Sequence, residues 1–553
     1  MQLLDYLTIS LFSLGILCTG LLFSKSGKSM KNFFSAGGAV PWGMAGLSLF
    51  MGFFSAGTFV VWGSIAYSSG WVAVTIQWTM CIAGILVGLF IAPYWRKTGA
   101  LTAAEYISGR LGLSTQKAYT LLFLLVSMFT TGSFLYPVGK ILEVSTGLPL
   151  TACILLIGGI SILYVSVGGL RAVVVTDVLQ FIILFAAVII VIPLSFDKIG
   201  GIQEFVRSVP EHFFALTNEE YTWGFIVAFG LYNMVFLGGN WAYIQRYTTV
   251  KNPAAARKVG LLFGGLYTFS PILWMLPPMI YFIFNPALGG LSDEGAYLLM
   301  CKEALPAGLL GLMLGGMIFA TASSLNSTLN ISAAVFTNDI FKRLFPASGE
   351  RTLVRIARAS TIGFGVLAIV IALLIPLMGG VVNVVISVAA LTGVPLYLPV
   401  IWTLFSKRQT GRSILTVTLV SLVVNAFFKF VAPAAFGFSL SRSQEMILGV
   451  CFPALCLGLY EIYASLRGRI SKEYLRYTQT RQAVNTEQLE EQSENDSREE
   501  NDFSTRVIGT GIILSGTIIA ILSAINPSGR GLVCSVGIAM MLLGWYIRHS
   551  KQK

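Results

Sequence analysis

The sequence predicts an all-α protein that crosses a membrane many times, and three observations predict it. Mean hydropathy is +0.77, with 55% of the 553 residues hydrophobic and 11% charged, a composition outside the range of soluble proteins. Apolar runs recur at about 4–23, 41–69, 73–94, 118–145, 149–167, 172–194, 223–242, 258–284, 306–337, 353–377, 381–405, 413–433, 444–466, 507–526 and 532–547. Most approach or exceed the roughly 20 residues that a helix needs to span the hydrocarbon core. Lysine and arginine gather in alternate connections between these runs, the pattern that sets orientation in a bilayer.

Taken in order, the run 4–23 has no basic leader and no small-residue cleavage site, so it reads as a retained first helix. The run 41–69 is different in kind. It carries Pro41, Gly43, Gly46, Gly52, Gly57 and Gly63 together with Ser48, Ser55 and Thr58. Glycines and hydroxyls at mid-membrane depth weaken a continuous helix, and unwound backbone is tolerated there only where its carbonyls meet an ion or a cavity. A flexible, closely packed helix is the alternative. Late in the run 118–145, Lys140 and Glu143 stand three residues apart, as a pair snorkelling towards one interface would.

The run 306–337 holds Gly315 to Asn330, small hydroxyl and amide side chains within a greasy helix. Ala320, Ser323 and Ser324 share one face at i, i+3 and i+4, and Ser323, Asn326 and Ser327 repeat that spacing nearby. Oxygen ligands converging on one stripe suit a small hard cation such as Na⁺. Small residues also permit close helix packing, and the spacing alone leaves both readings open.

Basic connections hold Lys25, Lys28 and Lys31; Arg96, Lys97 and Arg110; Arg246, Lys251, Arg257 and Lys258; Lys342, Arg343, Arg351 and Arg355; and Lys407, Arg408 and Arg412. All lie on one side if the N-terminus is outside, and an odd helix count then leaves the C-terminus in the cytoplasm. Residues 468–505 start basic and turn strongly acidic from Glu487 to Asp502, a solvated and partly disordered linker by composition. Two more apolar runs follow it as an appended hairpin.

The formal charge of +12 is dispersed among these connections rather than gathered in a patch, so no nucleic-acid partner is expected. Seven cysteines without metal-ligand spacing read as packing residues, and two histidines give no hydrolytic or redox constellation. No enzyme is expected.

Several ordered segments give the chain a family likeness. They are Asn32 to Gly38; Ser55-Ala56-Gly57-Thr58-Phe59 with Gly63, Ala66-Tyr67 and Gly70; Leu101 to Tyr106 with Arg110; Gly168 to Ala172 with Thr176-Asp177 and Gln180; Gly238-Gly239-Asn240 with Gln245-Arg246-Tyr247; and Ala322 to Ser327 through Asp339-Ile340. On these segments, over about residues 5–466, the chain resembles the sodium:solute symporters, which include sodium/glucose, sodium/proline and sodium/sialic acid cotransporters.

The resemblance implies a LeuT-like fold of two inverted five-helix repeats, each opening on a helix broken near the midplane. It implies a transport core over 41–433, after an N-terminal helix and basic connection over 1–40. A peripheral helix over 434–467, the linker over 468–505 and a hairpin with tail over 506–553 would follow, about fifteen transmembrane helices in all. It implies Na⁺ as the coupling ion, held by carbonyls of Met51 and Phe54 and by Ala320, Ser323 and Ser324. A second Na⁺ would use Asp177, Asn326 and Ser327 with Ser323, although Asn326 stands where two-ion members carry a hydroxyl. For Asp177 a transient ion-exit role or a helix-capping role stays open.

Solute contacts implied by the resemblance fall on Ser55, Thr58, Gln77, Asn233 and Phe236, with Phe236 either an inner gate or ordinary packing. Ser55 and Thr58 match hydroxyls that receive a carboxylate in sialic acid carriers, but residues 127–134, Ser-Met-Phe-Thr-Thr-Gly-Ser-Phe, lack the arginine expected opposite them. The expectation is therefore a monomeric symporter of the cell membrane that imports a small polar solute, leaning to a sugar. Symport of an amino acid or carboxylate, or service as a transporter-derived solute sensor, are the alternatives. The regions 102–110 and 245–247 are expected to be loop architecture.

Overall fold

A computed structural model describes residues 2–23, 40–100, 102–165, 170–482, 491–525 and 529–549. The motif 32–38 and Gly168–Gly169 lie outside these. The described residues are mainly helical, without a strand, and each apolar run falls on helix over most of its described length. In chain order these are α1 (Leu3–Phe23), α2 (Trp42–Met51) and α3 (Gly63–Ser69), then α4 (Trp71–Lys97), α5 (Leu113–Thr146), α6 (Leu150–Val165) and α7 (Leu170–Ile199). There follow α8 (Trp223–Gly239), α9 (Trp241–Thr248), α10 (Pro253–Phe284), α11 (Leu309–Val335), α12 (Glu350–Leu374) and α13 (Val381–Phe405). Last come α14 (Gly411–Phe436), α15 (Arg442–Leu466), α16 (Lys472–Gln482), α17 (Glu491–Ile525) and α18 (Arg530–His549).

Among the described residues ten helices are long and apolar enough to cross a bilayer, or eleven if the bent pair α8–α9 is one span. Halves of a broken span fall short of the length, as do helices described only in part.

Two interruptions organise the bundle. Between α2 and α3 the helix opens at Gly52–Ser55 and resumes through a π-helical turn at Thr58–Trp62. Between α8 and α9 the axis turns by 60° at Asn240, which leaves helical ψ (130°) and caps the next helix by accepting the Ala242 N–H at 2.9 Å. Each interruption opens a set of five spans, α2–α7 and α8–α13, as inverted repeats require. Spans meet closely where side chains are smallest: a Cβ on Gly260 of α10 would lie 2.5 Å from Gly88 Cα on α4.

α1 is joined to the core by a charge. Asp5, 1% exposed, accepts the N–H groups of Gly308 at 2.7 Å and Gly311 at 3.1 Å through Oδ1. These are amides at the start of α11 that have no partner within the helix, so α1 supplies its N-terminal cap.

Three expectations change. Arg110 and Arg246 are buried within the protein, at 1% and 6% exposed, and do not belong to the leaflet-facing charges. Gln245–Tyr247 is helix rather than loop, because Asn240 supplies the cap that starts α9; residues 103–111 are likewise helical, capped by Thr102 Oγ1 accepting the Glu105 N–H at 3.1 Å. Nor are residues 472–482 a solvated linker. They form α16, which docks on the core: Glu473 accepts the Gly411 N–H at 2.8 Å, and the Tyr474 ring centroid lies 5.0 Å from the Arg110 guanidinium.

Lys140 and Glu143 pair at 2.8 Å, as their spacing suggested. The C-terminal hairpin α17–α18 is pinned by glycines, a Cβ on Gly509 meeting the Gly544 carbonyl at 2.7 Å, and rests on α7 through Leu179 beside Gly511.

Candidate ion and solute site

The chemistry of the first break follows from where its amides go. In a continuous helix the N–H groups of Ser55, Ala56 and Thr58 would close on the carbonyls of Met51, Gly52 and Phe54. Here Ser55 N–H donates to Thr58 Oγ1 at 3.3 Å, Ala56 N–H to Thr321 Oγ1 at 2.8 Å, and Thr58 N–H to Ser55 O at 3.0 Å. The Thr58 hydroxyl in turn donates to the Phe53 carbonyl. The carbonyls of Met51 and Phe54, the pair singled out by the family likeness, thereby lose their i+4 partners inside a buried segment, with Met51 at 1% and Phe54 at 0% exposed.

α11 runs past this break. Ala320 is fully buried, and Ser324 Oγ donates to the Ala320 carbonyl at 3.4 Å, a long and weak bond that leaves its lone pairs available. The side chains of Ser323, Asn326 and Ser327 lie outside the described residues. Thr321, which the sequence pattern did not single out, provides the direct link between α11 and the break. Its signal in the sequence was only one more hydroxyl on a helix rich in them.

Two cavities lie on either side of the break. The upper, of about 160 Å³, is lined by Ser55, Thr58, Gln77, Asn233 and Phe236, so the structure gathers all five expected solute contacts. Gln77 and Asn233 are 3% and 4% exposed, and Asn233 Nδ2 donates to Thr79 Oγ1 at 2.8 Å, which fixes its amide. Trp62, Thr130, Ser133 and Thr392 also face this cavity and were not expected. Each is a lone polar or aromatic residue whose facing only the packing decides.

The lower cavity, of about 50 Å³, is lined by Ser48, Asp177, Asn240, Arg246, Ser324 and Thr328 among others. Asp177 lies two turns into α7 and so is no helix cap; it accepts the Ser48 hydroxyl at 2.6 Å and lies 4.0 Å from Arg246 Nη2. Phe236, Tyr243, Tyr397 and Phe134 border both cavities. Phe236 is stacked on Tyr232 at 5.4 Å and meets Tyr243 and Tyr397 edge-on at 5.6 and 5.8 Å. These rings lie where the two chambers adjoin, and Phe236 is packed within that aromatic layer.

Broken spans around stacked cavities, with a buried carboxylate in one and amides in the other, define a secondary transporter of the membrane. Comparisons agree and narrow the class. The family model described as the sodium:solute symporter family matches residues 33–420, and the chain belongs to that family.

A sodium/glucose cotransporter of Vibrio parahaemolyticus is 28% identical over 503 residues, covering 84% of this chain and 91% of its own. A sodium/sialic acid symporter of Proteus mirabilis is 26% identical over 62% of this chain and 72% of its own. A solved structure of a Na⁺-coupled sialic acid symporter, substrate-bound and outward-open, matches the fold with a TM-score of 0.71 at 22% identity. It covers 85% of this chain and 99% of that one. The fold is thus LeuT-like and the chain a multi-pass membrane symporter that couples a solute to Na⁺.

Proposed function

We propose that this protein imports an uncharged, ring-shaped polar solute, a sugar or sugar-like compound, bound in the upper cavity and driven by Na⁺ held at the break of the first repeat. The observation that carries the reading is the lining of that cavity: amides of Gln77 and Asn233 and several hydroxyls stand among aromatic faces, and no charged side chain lines it among the described residues. A neutral solute finds hydrogen-bond partners there for its edge and rings for its face, while a carboxylate would be desolvated without a counter-charge. The name of the Vibrio relative, a sodium/glucose cotransporter, points the same way.

In this reading the first Na⁺ is ligated by the carbonyls of Met51, Phe54 and Ala320 with the hydroxyls of Ser323 and Ser324. A second Na⁺ uses Asp177, with Asn326, Ser327 and Ser323. One ion moving down a tenfold gradient releases about 1.4 kcal/mol, and 100 mV adds about 2.3 kcal/mol per charge. Together they support roughly 500-fold accumulation of a neutral solute; a second ion squares that ratio. The transport core is residues 41–433, the N-terminus faces outwards and the C-terminus the cytoplasm, and one chain supplies both cavities and so suffices for transport.

Purified protein in liposomes tests this. With a panel of radiolabelled neutral sugars, polyols, amino acids and carboxylates, an inward Na⁺ gradient drives accumulation of a sugar or polyol and a choline gradient does not. Accumulation of amino acids or carboxylates alone across such a panel would overturn the assignment of solute.

A further inference from the structure

We infer that Thr321 is a positioning residue for sodium, its hydroxyl holding the restart of the broken span against α11 so that the two halves of the ion site stay in register. The inference rests on the sodium site proposed above. Ala56 bears the amide that would otherwise close the break onto the Gly52 carbonyl, four residues back. It donates instead to Thr321 Oγ1 at 2.8 Å, while that hydroxyl donates its own proton to the Met317 carbonyl at 2.9 Å. The second bond fixes the direction of the first: with its proton committed to α11, the oxygen turns a lone pair to the break.

Both groups are shut away from water, Ala56 at 0% and Thr321 at 1% exposed, so no solvent replaces a lost acceptor. The bond sits at the level that matters, since Thr321 adjoins Ala320 and stands three residues before Ser324, while Ala56 is two residues beyond Phe54. Without it the orphaned Ala56 N–H is released to the Gly52 carbonyl, its partner in a continuous helix, and taking that partner rewinds the helix across the break. Thr321 thus opposes rewinding at the point where the backbone has to stay open for an ion.

The test reads sodium alone and needs no solute. Purified full-length protein in detergent is titrated with NaCl against choline chloride, and a fit to the rise in melting temperature gives the Na⁺ dissociation constant, the midpoint of binding, because a ligand of the folded state at concentration c adds RT ln(1 + c/Kd) of stability. Thr321→Val keeps the shape and loses the hydroxyl. Its Na⁺ midpoint rises about tenfold, equivalent to about 1.4 kcal/mol, and Thr321→Ser returns it to the wild-type value. Thr321→Ala, which adds no bulk, shows the same shift and serves if the valine variant does not fold.

A role confined to packing lowers the melting temperature in choline and leaves the Na⁺ midpoint unmoved; that result overturns the inference, as does a serine variant that fails to restore the midpoint. Ser324→Ala run alongside separates the two levels. If it leaves the midpoint unchanged, the sodium site itself is misplaced. If it shifts the midpoint while Thr321→Val does not, only the role of Thr321 falls.

Discussion

Replacing Asp177 by asparagine removes one charge from the lower cavity and keeps the side chain's shape. Its Oδ2 lies 4.0 Å from Arg246 Nη2, and the two side chains are 4% and 8% exposed. Coulomb attraction at that separation, with an effective dielectric of about 20, comes to about 4 kcal/mol. Breaking a buried pair by deleting one partner costs roughly 3–5 kcal/mol, because the survivor stays buried and loses that counter-charge. Asp177→Asn and Arg246→Gln should therefore each destabilise the protein by about 3–4 kcal/mol. The double variant strands neither charge and should recover much of that loss. The assay is denaturant unfolding of the four proteins of the cycle in detergent, followed by tryptophan fluorescence in choline buffer so that Na⁺ contributes nothing. A coupling energy below about 0.5 kcal/mol, the value expected of independent sites, would refute the pairing.

Three further outcomes are expected. Ser323→Ala combined with Ser324→Ala abolishes Na⁺-stimulated uptake in liposomes while the protein stays monodisperse; unchanged uptake would reject the first sodium site. Asp5→Ala strips the acceptor from the Gly308 and Gly311 amides and costs roughly 2–3 kcal/mol in the same unfolding assay, the loss expected of charge-assisted bonds at a helix N-terminus. Glu294, in the connection before α11, is 3% exposed, and burial raises its pKa above the ordinary 4.5 even though Tyr136 Oη and the Val381 N–H donate to it at 2.7 and 2.9 Å. The folded state then keeps a proton that the unfolded chain has already released, so stability falls as pH rises from 4.5 through the raised value. Glu294→Gln should flatten that slope, as read from unfolding midpoints across the window; a slope as steep as wild type would assign it to other groups.

Much of this was legible in the residues because membrane helices write themselves in hydropathy, and because Gly52, Gly57, Ser55 and Thr58 have little reason to share a span unless it opens. The five proposed solute positions came from the family likeness rather than from hydropathy; Gln77 alone stood out by itself, as an amide where the bilayer offers no partner, and the structure lines one cavity with all five. What stayed hidden depends on facing. Thr321 and Thr392 look like any other helical hydroxyls until a neighbouring span decides what they meet. Arg110 and Arg246 were misplaced because a count of charges per connection carries no information about burial. The docking of α16 was hidden as well, since a helix rich in Arg, Tyr, Thr and Gln is polar by composition and attaches here through two tyrosine rings, on Arg110 and Tyr106, and through the cap that Glu473 lends to Gly411.

The fastening of α11 limits how this symporter can move. Its start is gripped by a carboxylate from α1 and its middle by the amide of Ala56. Sliding α11 along its own axis by one residue, a rise of about 1.5 Å, would strain both grips at once, whereas spans that make neither grip can swing around it without disturbing them. Motion in this chain is thus steered towards other spans rocking about α11 as a spindle, with α1 and the break carried along with it.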